Sequence, residues 1–229
     1  MAEETFPIAI GDGRSVTAVR TPAEGSRSSW LFVYAPGAGS NVHDPFGVLA
    51  CRHLAARGIS SVRFQFLYME ARKRSPDSPP VLEATWRAAI EAVRTPGLRL
   101  VIGGRSMGGR IASQVVAQGV KAEALALFAY PLHPPGRPFQ VRDQHLPAIE
   151  VPTLFCSGTN DAFASPDELR AAASKVRQST VHFLAGADHG FAVPKSSGRK
   201  RDDVWAEAVG VLLDWLQIRA GVTSSGGGP

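Results

Sequence analysis

The sequence predicts an α/β domain, a mostly parallel β-sheet with helices on both of its faces. Three observations carry that expectation. Short apolar runs of buried-strand length alternate with longer amphipathic runs, the pattern of strand–helix–strand units. The chain has 229 residues, 44% hydrophobic and 20% charged, enough to bury a sizeable core without disulfides or metals. No internal repeat and no long linker divides it. Residues 1–220 are therefore expected to form one domain, and residues 221–229, which end in "TSSGGGP", a flexible tail.

The elements follow in order. "FPIAIGDGRSVTAV" reads as a hairpin with "GDG" at its turn. Four buried-strand runs come next, "WLFVYA" (30–35), "SSVRFQF" (60–66), "RLVIGG" (99–104) and "ALALFAY" (124–130). "PTLFCSG" (152–158) and "TVHFLAG" (180–186) complete the set. Between them, a helix is expected from Pro45 to about Arg57, with Asp44 as N-cap and Pro45 suited to the first turn. "VLEATWRAAIEAVR" is a second helix, stopped by "TPG", and a third runs from Met107 to near Gly119. "SPDE" (165–168) is a capping box, in which Ser165 caps and Glu168 reaches back. A last helix, from about Asp203 to Arg219, carries one apolar stripe at Val204, Ala208, Val211, Leu212 and Trp215.

Composition bounds the function classes. The first ten residues, "MAEETFPIAI", contain two glutamates and no long apolar run, so no leader peptide is expected, and no stretch reaches membrane-span length. Cys51 and Cys156 sit among apolar residues with no metal-ligand spacing, which fits a reducing, cytoplasmic setting. The formal net charge is +5, with basic runs at "ARKR" (71–74) and "GRKRDD" (198–203). Neither run is interleaved with aromatic residues, so they read as solvated loops and not as a nucleic-acid surface.

One stretch departs from ordinary strand and helix composition. "VIGGRSMGGRIAS" sets four glycines around Ser106, although glycine inside an element is destabilising by roughly 0.5–1 kcal/mol relative to alanine. A buried strand precedes it and a helix follows, the context of a sharp turn that lifts a nucleophilic serine where neighbouring backbone passes too close for side chains. The other reading of these glycines is a turn that binds phosphate or nothing. A serine hydroxyl needs a base, usually a histidine oriented by a carboxylate. On an open sheet the expected chain order is serine, acid, histidine, each after a later strand. Asp161 follows the run ending at Gly158, and His189 follows the run ending at Gly186.

Rival residues are placed less well. Asp188 adjoins His189, where an oriented contact is geometrically awkward; His182 lies inside a strand run; His43, His53 and His145 precede the required position. Asp167 is explained by a helix first turn. His133, in "YPLHPPG", is expected to line a pocket and not to act as base. Oxyanion donors are expected from the backbone N–H of Met107 and from the loop "APGAGSNVHDPF", with Ala38 preferred and Gly39 next. Gly37, Gly39, Arg105 and His133 are the expected substrate-pocket residues. Arg63 and Arg105 either attract an anionic substrate group or form structural ion pairs.

With these motifs in place, the chain resembles the α/β-hydrolase superfamily. "APGAGS", "GRSMGGR", "GTNDAF" and "GADHGF" are similar to the dienelactone-hydrolase-like esterase branch. "RFQFLYMEARKRSPDSPP" and "YPLHPPGRP" resemble small hydrolases related to a testis-expressed protein and to a subunit of a chromatin-acetylating complex. The resemblance spans about Trp30 to Trp215 and implies an eight-stranded, mostly parallel sheet, a Ser106–Asp161–His189 triad and no cofactor. Two departures limit it. Pro36-Gly37 stands where relatives carry His-Gly, and a serine stands where true dienelactone hydrolases use cysteine. Only a short Pro-rich stretch separates "LFAYP" from "VPTLF", so no large cap domain is expected, and the substrate would be a small or surface-exposed ester. A non-catalytic scaffold on this fold, or an acyltransferase or perhydrolase using the same triad, are the alternatives.

Overall fold

A computed structural model describes residues 2–222. The chain opens with β1 (Glu4–Gly11) and β2 (Arg14–Thr21), an antiparallel hairpin. Asp12 and Gly13 both take positive φ at its tip, as a tight turn matched to strand twist requires. β3 (Trp30–Ala35), β4 (Ser60–Phe64), β5 (Arg99–Arg105), β6 (Ala124–Phe128), β7 (Thr153–Gly158) and β8 (Ser179–Leu184) follow and pair in parallel. The eight strands lie in the order β1-β2-β4-β3-β5-β6-β7-β8, and β2 joins β4 antiparallel. The hairpin thus forms one antiparallel edge on a parallel sheet, as the resemblance implied.

Helices cover both faces because the central strands are apolar on both sides. β3, β6 and β7 are buried at every position, the signature of strands between two helical layers. One layer is α1 (Pro45–Ala55) and α6 (Arg201–Val222), whose Phe46, Leu54, Leu212 and Trp215 pack on Phe32, Val101 and Leu154. The opposite layer is α3 (Pro79–Val93), α4 (Met107–Ala117) and α5 (Pro166–Ala173), built on Trp86, Ile111 and Leu169. A single-turn helix, α2 (Leu67–Glu70), follows β4. In α6 the stripe is wider than its sequence pattern: Val209 and Leu216 are buried, whereas Val211 is half-buried. The expected tail boundary at residue 220 falls inside the last turn of α6, and the rest of that tail lies outside the described residues.

The caps behave as their chemistry dictates. Asp44 accepts from the Gly47 N–H at 2.9 Å ahead of Pro45, and Ser165 and Glu168 form the reciprocal capping box of α5. No helix among the described residues is long and apolar enough to cross a membrane. The strand order reverses at β3, flanked by β4 and β5, so the loops leaving β3 and β5 part and open a crevice at the carboxyl edge of the sheet. That edge carries Ser106, Asp161 and His189.

Candidate active site

Ser106 stands between β5 and α4 with φ 50° and ψ −120°, a conformation that non-glycine residues rarely hold. Its N–H donates to the Phe128 carbonyl at 2.8 Å, tying the turn to β6. The surrounding glycines have a steric cause. A Cβ on Gly104 or Gly108 would come within 3.0 Å of the Ala35 carbonyl oxygen, and one on Gly103 would meet the Ala126 carbonyl as closely. Gly109 faces the Gly104 carbonyl in the same way. The backbone of β3, β5 and β6 therefore crowds the turn from both sides, and only hydrogen at these positions lets it close.

Three side chains meet at this edge. The Ser106 Oγ lies 2.8 Å from His189 Nε2, and His189 Nδ1 lies 2.9 Å from both carboxylate oxygens of Asp161. Asp161 is 5% exposed and also accepts from the Phe163 N–H at 2.8 Å and the Ser157 hydroxyl at 3.2 Å. Those bonds fix a carboxylate that could otherwise rotate away from the imidazole. The Phe163 ring stacks on His189 with centroids 3.9 Å apart and planes tilted by 26°. Sequence reading missed Phe163; its place in "NDAFAS", two residues after the acid, was the available signal.

Asp188 has a different task. Its Oδ1 accepts from the N–H groups of Gly190 and Ala192 at 2.8 and 2.9 Å, which clips the loop that presents His189. Phe191, held at φ 59°, drives its ring into the core against Phe46, with centroids 5.5 Å apart. The loop is thus anchored on both sides of the histidine.

The loop after β3 is braced by Asp44. That carboxylate accepts from the Tyr34 hydroxyl at 2.6 Å and the Gly47 N–H at 2.9 Å, and the Arg105 guanidinium stands 3.9 Å away. Burial first, and then the Asp44 charge, hold the Tyr34 phenol well above its ordinary pKa, so it remains a donor. Gly39, at φ 76°, gives its N–H to the Tyr68 hydroxyl of α2 at 2.8 Å, which removes it from the possible oxyanion donors. The N–H groups of Ala38 and Met107 have no partner among the described residues, and both residues line the cavity with Ser106. Gly37 packs against the serine, where an added Cβ would lie 3.5 Å from the Ser106 Cβ.

The cavity measures about 550 Å3 and is lined by Gly37, Ala38, Arg105, Met107, Phe163 and His189 among others. Gly39 and His133 are not in its wall: Gly39 turns its N–H to Tyr68, and the buried His133 is turned toward Glu168 (3.4 Å) and the Pro134 carbonyl (2.9 Å). Arg63 is structural, donating to Glu3, Thr21 and the Val42 carbonyl from a buried position in β4. His182 pairs with Glu207 at 2.9 Å, away from the cavity. His145 meets the Ser113 hydroxyl at 2.7 Å behind α4.

Comparison with known proteins places the fold. The fold superposes on an alpha-beta serine hydrolase homologue from Coxiella burnetii with a TM-score of 0.74, 19% identity and coverage of 93% of this chain and 98% of that one. A dienelactone hydrolase from Anabaena variabilis gives 0.70 at 17% identity, covering 91% and 95%. A serine hydrolase without lid from Xanthomonas campestris gives 0.68 at 20% identity, covering 93% and 94%. These similarities concern the fold. The family model described as alpha/beta hydrolase domain matches residues 28–217, most of the chain, and the chain belongs to that family.

Proposed function

We propose that the protein is a serine hydrolase that cleaves small carboxylic esters or thioesters through an acyl-enzyme. The observation that carries this reading is the continuous hydrogen-bonded line Ser106–His189–Asp161 at one edge of the sheet. The Ser106 hydroxyl donates to His189 Nε2 and loses its proton there as Oγ attacks the ester carbonyl. His189 Nδ1–H donates to Asp161, whose buried carboxylate selects the tautomer and stabilises the imidazolium. The backbone N–H groups of Met107 and Ala38 receive the oxyanion, aided by the positive end of α4. His189 then protonates the leaving alcohol or thiol, and a water activated by the same imidazole releases the acid.

The open cavity favours small or surface-exposed esters over long lipid chains. It is consistent with the short chain between β6 and β7, which leaves no room for a cap domain. The phenyl face of Phe163 shields one side of His189 from water, which helps keep the imidazole in line between its two partners. A panel of short-chain aryl esters and thioesters tests the reading, with Ser106→Ala and Asp161→Asn beside the wild type. The expected loss in kcat/KM is about 10^4-fold or more for each, with unchanged circular dichroism. Turnover retained in Ser106→Ala would remove the serine from the mechanism.

A further inference from the structure

The cavity beside Ser106 is more positive than ester cleavage requires. Arg105, Arg110 and Arg142 line it, against Asp44 as the one acid in its wall. Asp44 is already engaged by Tyr34, Gly47 and Arg105. Arg110 and Arg142 have no carboxylate within ion-pair distance among the described residues. Asp143, next to Arg142 in the chain, is paired with Lys175 at 2.6 Å. Glu83 of α3 attracts Arg110 only through space.

Arg110 lies one helical turn after the nucleophile, so its side chain rises from the face of α4 that carries Ser106. Its guanidinium donates to Gln114 Oε1 at 3.2 Å, while its Nε is buried with no partner. Arg142 comes from the segment between β6 and β7, and the Tyr130 hydroxyl fixes its backbone carbonyl at 2.8 Å. Burial, and then the charge of Arg142, pull the Arg110 pKa below its ordinary value. Two like charges brought close in a partly desolvated wall repel one another unless an anion lies between them. His145 supplies no compensation: burial and Arg110 push its pKa down to about 4, so it is neutral near pH 7.

We propose that Arg110 and Arg142 form an anion subsite next to Ser106, and that the substrate is an ester or thioester bearing a carboxylate or phosphate group. As a substrate assignment this rests on the hydrolase reading above; as a binding site it does not. Planar guanidinium pairs suit the oxygens of either group. The same subsite would hold the anionic end while the carbonyl lies against Ser106, so charge selects the substrate and orients it.

Calorimetry on the Ser106→Ala protein tests binding without turnover, using glutarate and inorganic phosphate as separate probes. We expect saturable binding of one of them, weakened at least tenfold in Ser106→Ala/Arg142→Gln and in Ser106→Ala/Arg110→Gln. Which probe binds distinguishes a carboxylate from a phosphate. Arg142 is half-exposed, so its substitution tests the subsite even if Arg110→Gln fails to fold. In parallel, the wild type should prefer mono-4-nitrophenyl glutarate over 4-nitrophenyl pentanoate if carboxylate is the group bound, and Arg142→Gln should reduce that ratio. Exposed Arg14→Gln should leave the ratio alone. Absence of binding by both probes, or binding unmoved by both arginine substitutions, overturns the subsite. Anion binding lost in the arginine variants while no ester is hydrolysed would instead retain the subsite and remove the hydrolase reading.

Discussion

Ser106 is held at φ 50° and ψ −120°, a strain of order 1–3 kcal/mol that the surrounding backbone must supply. It does so by closing in until no Cβ fits at Gly104 or Gly108. Gly104→Ala and Gly108→Ala should each lower stability by about 3 kcal/mol or more, because the obstacle is a carbonyl within the sheet and not a movable side chain. Urea unfolding measures this, and a loss below 1 kcal/mol would mean that the turn relaxes freely. The two neighbouring acids separate at the same scale. Asp161→Asn should stop turnover, whereas Asp188→Asn keeps an Oδ1 that can accept from Gly190 and Ala192 and should stay within about threefold of wild type. Steady-state kinetics on both variants decides between them; the reverse ranking would make Asp188 the acid. Phe163→Ala, which removes the ring stacked on His189, should lower kcat about tenfold. The placement of Ser106, Asp161 and His189 just past strand ends was legible in sequence because each follows an apolar run at the length of a buried strand. Phe163, Tyr68, Arg110 and Arg142 were not, since their parts depend on loops and helices far apart in the chain meeting at one edge.

At the scale of elements, α3 and α4 form the support beneath the serine. Trp86 is fully buried, meets Phe64 edge-on with centroids 4.8 Å apart, and donates its indole N–H to the Gly108 carbonyl at 3.0 Å. That carbonyl belongs to the first turn of α4, so a core tryptophan also fixes the helix end behind the oxyanion donors. Trp86→Phe keeps most of the apolar fill but removes the indole donor, leaving the Gly108 carbonyl only its N–H partner within the helix. It should cost about 1–3 kcal/mol in denaturant unfolding, against about 3–5 kcal/mol for Trp86→Ala. A loss below about 0.5 kcal/mol in Trp86→Phe would show that the hydrogen bond contributes nothing. The helices with caps, α1 and α5, were readable from Asp44-Pro45 and Ser165-Pro166-Asp167-Glu168. The single-turn α2 was not, because four residues carry too little periodicity to stand out from a strand run that was read two residues too long. Its tertiary contact, Tyr68 to Gly39, is what gives that turn its place.

For the whole molecule, charge distribution sets the response to acid. The neutral form of His145 is favoured in the folded protein, with a pKa near 4 against about 6.5 in the unfolded chain. Between those values the unfolded state binds more protons, so stability falls as pH drops from 6.5 toward 4. Glu3, Glu168 and Glu207 have lowered pKa values and lose their contribution at still lower pH, through the carboxylate range. The melting temperature should therefore decline in two stages, and His145→Asn should flatten the first; an unchanged upper stage would contradict the assignment. The basic runs read from sequence remain at the surface: Arg72, Lys73 and Arg74 are exposed, and Arg199 pairs with Glu207. The fold as a whole was legible because alternating apolar runs dictate sheet and helix order. Local strain at Ser106 and the charge of its cavity emerge only when the strands are assembled.

The most direct test of an activated Ser106 is covalent labelling of purified protein with a fluorophosphonate, read by intact mass beside Ser106→Ala. An activated Ser106 gives one adduct per chain in the wild type and none in the variant. A folded wild-type protein that takes no label, or a variant that still does, would contradict it.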